Sequence, residues 1–285
     1  VKNIHNQRHK NNPDNISPLE AMIYSRTTVA MEQLSKDLVS NPLLYDLDQT
    51  LIAMDDTTVL MPLIVSEELL RDKRDAENSK IDREQISMSN DGLSFFSSPK
   101  MMAFVSPITD RVNFYNNYIQ IMNRDFASPL GFNGTFNYKY LITDTLMENG
   151  RTQYKVIYWA RRVKDLAFNG YFWVEDNTYA ITEFKADLNP KANLNIIKQL
   201  RVHNQFELQK DSTWFYKKQH VYVTFRHHLN DDTTKKQITI VANKTARYYM
   251  DKVEDLNVHL NPKAKSTALN LSPEQSSLLM EKYRK

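Results

Sequence analysis

The sequence contains no cysteine. Disulfides, thiol catalysis and cysteine-based metal sites are therefore excluded. The compartment stays open, because a cysteine-free chain suits cytosol and periplasm alike. Glycine is scarce, with 5 in 285 residues, which disfavours folds built on glycine-rich phosphate loops. No apolar run reaches the roughly 20 residues of a transmembrane helix. The apolar block 59–65 is short and interrupted by Pro62. No secretory signal is visible in the sequence, and it begins at Val1 and not Met, so the chain is expected to be a processed or excised piece. Charge of one sign is lacking too: 37 Lys+Arg against 34 Asp+Glu leave a net +3. A nucleic-acid binder usually carries a larger or more segregated basic excess.

Aromatic residues are abundant: 15 Tyr, 13 Phe and 3 Trp. They suit pleated, half-buried surfaces and lean the reading towards sheet. Residues 1–12 read as a short polar helix, with Ile4 and the stem of Arg8 on one face, stopped at Asn12-Pro13. Residues 21–31 alternate as a long strand, although a helix is compatible. Residues 35–58 are irregular and acidic, and 60–65 suit a buried strand. The charged stretch 66–91 fits a solvated helix or a protruding hairpin. Residues 94–108, with Pro99 and Pro107, suggest a broken helix.

From about residue 112 the strand signals become regular. Strands are expected at 114–122, 135–146, 153–161, 170–174, 179–188, 202–208, 214–229 and 237–242. Asn149-Gly150 is the strongest hairpin turn signal. Leu194, Ile197 and Leu200 recur every three residues after Asn189-Pro190, which predicts a short amphipathic helix. Ser272-Pro273 followed by Gln275 is a helix start.

The chemical motifs are thin. His227-His228 is the obvious metal candidate, but neighbours on a strand point to opposite faces and cannot readily share an ion. No His-x-His spacing accompanies them. Asp55-Asp56 and Asp231-Asp232 lack the ligand spacing and central glycine of a calcium loop. No nucleophile elbow, P-loop or dinucleotide fingerprint is present. Basic and aromatic residues interleave at 159–164 and 214–218, a pattern seen in single-strand nucleic-acid binders; alternating strand faces account for it better. The in-phase aromatics make a packed core. A curved sheet with an apolar ligand on its concave face would read the same way.

The run Tyr138-Lys-Tyr-Leu-Ile-Thr-Asp-Thr145, followed by residues 165–181 (DLAFNGYFWVEDNTYAI), resembles an uncharacterised family of Bacteroidetes outer-membrane proteins. Met61-Pro-Leu-Ile-Val-Ser-Glu67, Ser128-Pro-Leu130, Asp211-Ser-Thr-Trp214, and Asn195, Leu200, Gln205 and Phe206 extend the resemblance to about residues 18–250. Residues 66–110 depart from the pattern. The resemblance implies an N-terminal carboxypeptidase-regulatory-like domain, a middle region and a C-terminal surface-antigen-like barrel. It makes this chain the middle region, on the periplasmic side of the outer membrane.

The expected fold is α+β: a large, curved, unclosed antiparallel sheet, like the half-barrel of lipoprotein carriers, with a few helices. One domain spans 1–258, with 1–17 as N-terminal helix and turn and 66–110 as a variable insertion. A linker and exit helix follow at 259–285. The expected function is non-catalytic, without cofactor or metal. The module would bind or position a partner protein or translocating chain, its partners being its own barrel and envelope proteins and not nucleic acid. The alternative is a carrier or sensor of lipid or lipidated protein. Phe136, Tyr138, Tyr140, Tyr171 and Trp173 are the candidate ligand-binding residues.

Overall fold

The computed structural model describes residues 1–32, 52–53, 59–77, 80–92, 105–106, 110–192, 194, 196–231, 234–250 and 273–284. Helix α1 (Lys2–Asn11) opens the chain. It ends where Pro13 enters a 3-10 turn, Pro13–Asn15, with the Asn12 side chain accepting from the Asp14 backbone N–H at 3.0 Å. Ile4 is buried, as the sequence suggests, and Arg8 reaches Asn117 Oδ1 at 2.6 Å.

The strands follow as β1 (Leu19–Glu32), β2 (Ile52–Ala53), β3 (Val59–Arg74), β4 (Asp82–Gly92), β5 (Tyr118–Ile121), β6 (Arg124–Ala127), β7 (Tyr138–Glu148), β8 (Arg151–Ala160), β9 (Phe168–Glu175), β10 (Ile181–Leu188), β11 (Ile197–Leu208), β12 (Trp214–Asp231) and β13 (Thr234–Tyr249). Eleven of them form one sheet in the order β2-β3-β1-β13-β12-β11-β10-β9-β8-β7, with β4 also on β3. Strands β5 and β6 pair by themselves. Every pairing is antiparallel. Strand β7 is one edge and β2 with β4 the other, so the sheet is an unclosed half-barrel.

The hairpin alternative for 66–91 is the one observed: β3 and β4 pair from Ile64↔Gly92 to Lys73↔Asp82. Asn149 and Gly150 both adopt positive φ, 50° and 72°, as a two-residue hairpin turn between twisted strands requires. The irregular region 35–58 lies outside the described residues apart from β2, as do 94–108 apart from residues 105–106, the Asp55-Asp56 pair and the linker 259–272.

Three expectations are corrected. The helix predicted at 190–200 is not formed among the described residues: 190–192 turn, and 197–200 are the start of β11. A bulge between Ile197 and Gln199 inserts one residue, so Ile197 and Leu200 both reach the core. Their three-residue spacing mimics a helical period. The strand expected at 114–122 is confined to Tyr118–Ile121, because Phe114 and Tyr115 leave the ladder to enter the core. Residues Gly134–Asn137 form a helical turn, so β7 begins at Tyr138 and not at 135.

One sheet face carries the main core, a continuous cluster from Ile23 on β1 to Tyr138 on β7, including Phe168, Phe172, Phe184, Val202 and Tyr216. The other face is mostly polar. At its β4 end, helix α2 (Pro273–Arg284) packs Met280 and Tyr283 against Met22, Tyr24, Leu69 and Ile86. Among the described residues no helix is long and apolar enough to cross a membrane.

Candidate functional site

Residues 110–131 run across the core face as a cover. Phe114, Tyr115, Ile119, Ile121, Phe126 and Leu130 point from this segment into the core. Phe114 stacks on Phe184 at 4.2 Å and meets Phe168 edge-on at 5.5 Å. Such ring geometry adds to the area buried.

Buried polar side chains of the sheet hold the cover's backbone. Asn204 Nδ2 and Gln219 Nε2 both donate to the Val112 carbonyl, at 3.0 and 3.2 Å, and Gln219 also donates to Asn204 Oδ1 at 2.8 Å. The Tyr115 hydroxyl accepts from the Ile181 N–H at 3.0 Å. Tyr138 Oη donates to the Ala127 carbonyl at 2.5 Å and accepts from the Phe168 N–H at 3.1 Å; Tyr140 Oη donates to the Pro129 carbonyl at 2.7 Å. Burial raises the pKa of Tyr115, Tyr138 and Tyr140, so these phenols remain neutral. Unpaired, each group would incur the desolvation cost of a buried dipole.

Ion pairs pin the start of the cover. Arg111 reaches Asp14 at 2.8 Å and Asp72 at 3.7 Å, and its guanidinium lies 5.6 Å from the Tyr216 ring centre. Asp72, 1% exposed, takes a two-pronged bond from Arg83 at 2.6 and 2.8 Å. Burial works against the Arg111 charge. The fields of the Asp14 and Asp72 carboxylates oppose it, and the pKa stays raised.

Between cover and sheet lies a cavity of about 580 Å³, within the range of small-molecule pockets. Its apolar walls are Ile119 and Ile121 from β5, Phe168 from β9, and Leu200 and Val202 from β11. Its polar wall includes Asp110, Arg111, Asn113, Asn116, Asn117 and Gln120, with Asp125 alongside. The Arg111 charge is already met by Asp14 and Asp72, and two further carboxylates line the space. The cavity therefore suits a chain-like apolar group with a neutral or zwitterionic head, not a bare anion.

The five candidate residues do not form one constellation. Tyr138 and Tyr140 lie on the core side with Tyr158, and they brace the cover. Tyr171 and Trp173 lie on the opposite face of β9, where Lys155 stands over both rings at 4.8 and 5.8 Å. Beside them the Tyr171 hydroxyl donates to Glu183 at 3.1 Å, and Glu183 also bonds His203 at 2.7 Å. Phe136 sits on the helical turn, 69% exposed. None of the five lines the cavity. The residues that do were missed for two reasons. Leu200 is hidden by the bulge, and Asn113, like the Asn204 and Gln219 side chains that hold Val112 behind the cavity, carries no periodic signal, because a polar residue is buried only where a backbone needs it. His227 and His228 are successive residues of β12, paired with Ile238 and Gln237. Among the described residues no trio of His, Asp and Glu is placed to hold a metal.

The profile of a family of unknown function, DUF5686, matches residues 1–249. The chain belongs to the DUF5686 family. The DUF5686 match ends at Tyr249, the last residue of β13, and so takes in the whole sheet and its cover but not α2. A search of curated proteins finds no match to this DUF5686 chain. Among solved structures it is similar to an outer membrane lipoprotein-sorting protein domain from Vibrio parahaemolyticus, 10% identical, covering 90% of this chain and 95% of that one at a TM-score of 0.28. It is also similar to a DUF1329 family protein from Desulfovibrio piger, at 11% identity, 87% and 91% coverage and a TM-score of 0.28. A LolA superfamily protein from Nitrosomonas europaea gives 9% identity, 86% and 92% coverage and a TM-score of 0.27. Superpositions this loose carry no argument about ligand or activity.

Proposed function

We propose that this DUF5686 chain is a non-catalytic module of the cell envelope, on the periplasmic side of the outer membrane, and that its cavity takes an acyl chain with a neutral or zwitterionic head. The 580 Å³ space between cover and sheet carries the reading, with aliphatic and aromatic walls on one side and amide side chains on the other. The sequence resemblance to a Bacteroidetes outer-membrane family supports the setting. Such a module would carry or sense a lipid or a lipidated protein. Native mass spectrometry of the purified chain, with organic extraction of the bound fraction, tests it. A co-purifying acyl species fits the proposal. A clean unliganded mass, persisting after incubation with lysophosphatidylcholine, contradicts it.

A second reading, binding of a partner protein or a translocating chain, is favoured by a separate observation. Among the described residues strand β7 is an edge with no partner on its outer side, and Leu141, Ile142, Leu146 and Met147 on it are exposed. Native proteins usually blunt such edges, and an extended segment can add to one as a further strand. Natural partners include the barrel that the resemblance implies and other envelope proteins. A photoreactive amino acid in place of Met147 should crosslink an envelope protein in whole cells. Absence of any crosslinked product at that position counts against this reading.

A further inference from the structure

The interleaved basic and aromatic residues at 159–164 take no part in the cavity. In the fold they meet a second exposed group at the end of the β7–β8 hairpin opposite its Asn149-Gly150 turn. Lys139 pairs with Trp159 across the two strands. The Arg161 N–H bonds the Asn137 carbonyl at 2.8 Å, and Arg161 Nε donates to the Tyr138 carbonyl at 3.0 Å. These bonds hold the 161–164 turn against the helical turn that carries Phe136. The Arg162 guanidinium lies 5.5 Å from the Phe136 ring centre. Phe132 extends the group, and its ring touches His5 of α1 at 5.8 Å.

Phe132, Phe136 and Val163 are 72%, 69% and 57% exposed, and Trp159 is 38% exposed. Lys139, Arg161, Arg162 and Lys164 are exposed beside them. Acidic groups are nearly absent. There is none in 126–143 or 151–164, and Asp165 is paired with Arg162 at 2.9 Å. Helix α1, joined through His5, has Lys2, Arg8 and Lys10 and no acid. The acids of β7, Asp144 and Glu148, lie in its other half. A chain of net charge +3 thus concentrates cations at one end, around four exposed apolar side chains.

We infer that this end of the half-barrel docks on an anionic bilayer surface. Aromatic rings favour the membrane–water interface, long basic side chains bury their stems while keeping the charge in water, and each Lys or Arg near an anionic surface adds attraction. Charge complementarity selects the occupant. Single-stranded nucleic acid would need a groove that tracks its backbone, and this patch is an edge of the sheet. The inference does not rest on the acyl-ligand reading, because none of these residues lines the cavity.

Sedimentation of the 285-residue chain with sucrose-loaded vesicles tests it. Vesicles of phosphatidylglycerol mixed one to two with phosphatidylcholine are compared with phosphatidylcholine alone, at low and at physiological salt. The chain should sediment with the anionic vesicles only, and less so as salt rises. Lys139→Glu with Lys164→Glu should weaken binding by about ten-fold or more. Phe136→Ser should weaken it while leaving the salt dependence in place. None of these three side chains holds the fold, so circular dichroism and melting should be unchanged. Equal binding to neutral vesicles, no binding to either, or wild-type binding by the variants would overturn the inference. So would capture of a thymidine oligonucleotide without capture of vesicles.

Discussion

Gly170 lies on β9 opposite Ala186 of β10. A Cβ there would sit 2.0 Å from the Lys185 carbonyl oxygen and 3.0 Å from the Tyr158 hydroxyl, which itself donates to that carbonyl at 2.9 Å. The glycine in the Asn-Gly-Tyr-Phe-Trp run is therefore required by contact, not by turn geometry. Gly170→Ala should destabilise the chain by about 3 kcal/mol, read from urea unfolding; a change within experimental error would contradict this packing. Asp72 makes a different kind of demand. Asp72→Ala would leave Arg83 and Arg111 without their shared carboxylate. Arg111 keeps Asp14 and Arg83 is half exposed, so the loss should be that of charge-assisted hydrogen bonds, about 2 kcal/mol. The loss should be largest in hydrogen-exchange protection of residues 110–116, and equal loss across all strands would argue against a local clamp. Both demands are invisible in a single sequence, where a glycine and an aspartate look like turn residues.

At the scale of elements, the strand signals were legible because one face of each strand is buried. Residues 153–161, 179–188 and 214–229 alternate as half-buried strands do, and they are β8, β10 and the greater part of β12. Bulges are where the reading slipped. Ile181 and Phe184 share the core face across a bulge, as Ile197 and Leu200 do. A three-residue step inside a strand signals a bulge only when both flanks keep the two-residue period, and here it holds only downstream, at Leu200, Val202, Asn204 and Phe206. Helix α2 was legible from its Ser-Pro start, but its docking was not. Tyr24 Oη donates to Glu67 at 2.8 Å, Arg26 approaches the same carboxylate at 3.4 Å, and Arg284 of α2 completes the group. Burial pushes the Glu67 pKa up, and the bonds from Arg284 and Tyr24 more than offset that, leaving it below the ordinary carboxylate value. A depressed carboxylate stabilises fully above its unfolded pKa, about 4.3, and the contribution is lost as pH falls through the folded value. The melting temperature of the wild type should therefore fall more steeply below about pH 4.3 than that of Glu67→Gln. At neutral pH, Glu67→Gln should lower amide protection in 274–284 about five- to ten-fold, from a loss of roughly 1 kcal/mol. Parallel pH profiles would show that this carboxylate does not hold the helix.

For the whole molecule, the meandering antiparallel sheet was foreseeable from successive strands and short turns, and its open, half-barrel form from the likeness to lipoprotein carriers. The cavity was not. It is made by a cover whose apolar anchors, Phe114, Tyr115, Ile119 and Ile121, read as one more strand, and by core residues from strands far apart in sequence. The aromatic alternation pointed to ligand contacts at Tyr138, Tyr140, Tyr171 and Trp173. In the fold the first two brace the cover and the others sit on the opposite face. The space beneath the cover is proposed to receive an acyl chain. The most direct test is fluorescence titration with a nitrobenzoxadiazole-labelled lysophosphatidylcholine, comparing the wild type with Gln120→Trp. Gln120 on β5 both lines the cavity and is exposed, which places it at the open side, so an indole there narrows the entrance without disturbing the core. The wild type should bind saturably and one-to-one with enhanced emission, and the variant should lose that binding at unchanged stability. Absence of binding in the wild type, or equal binding in Gln120→Trp, would contradict it.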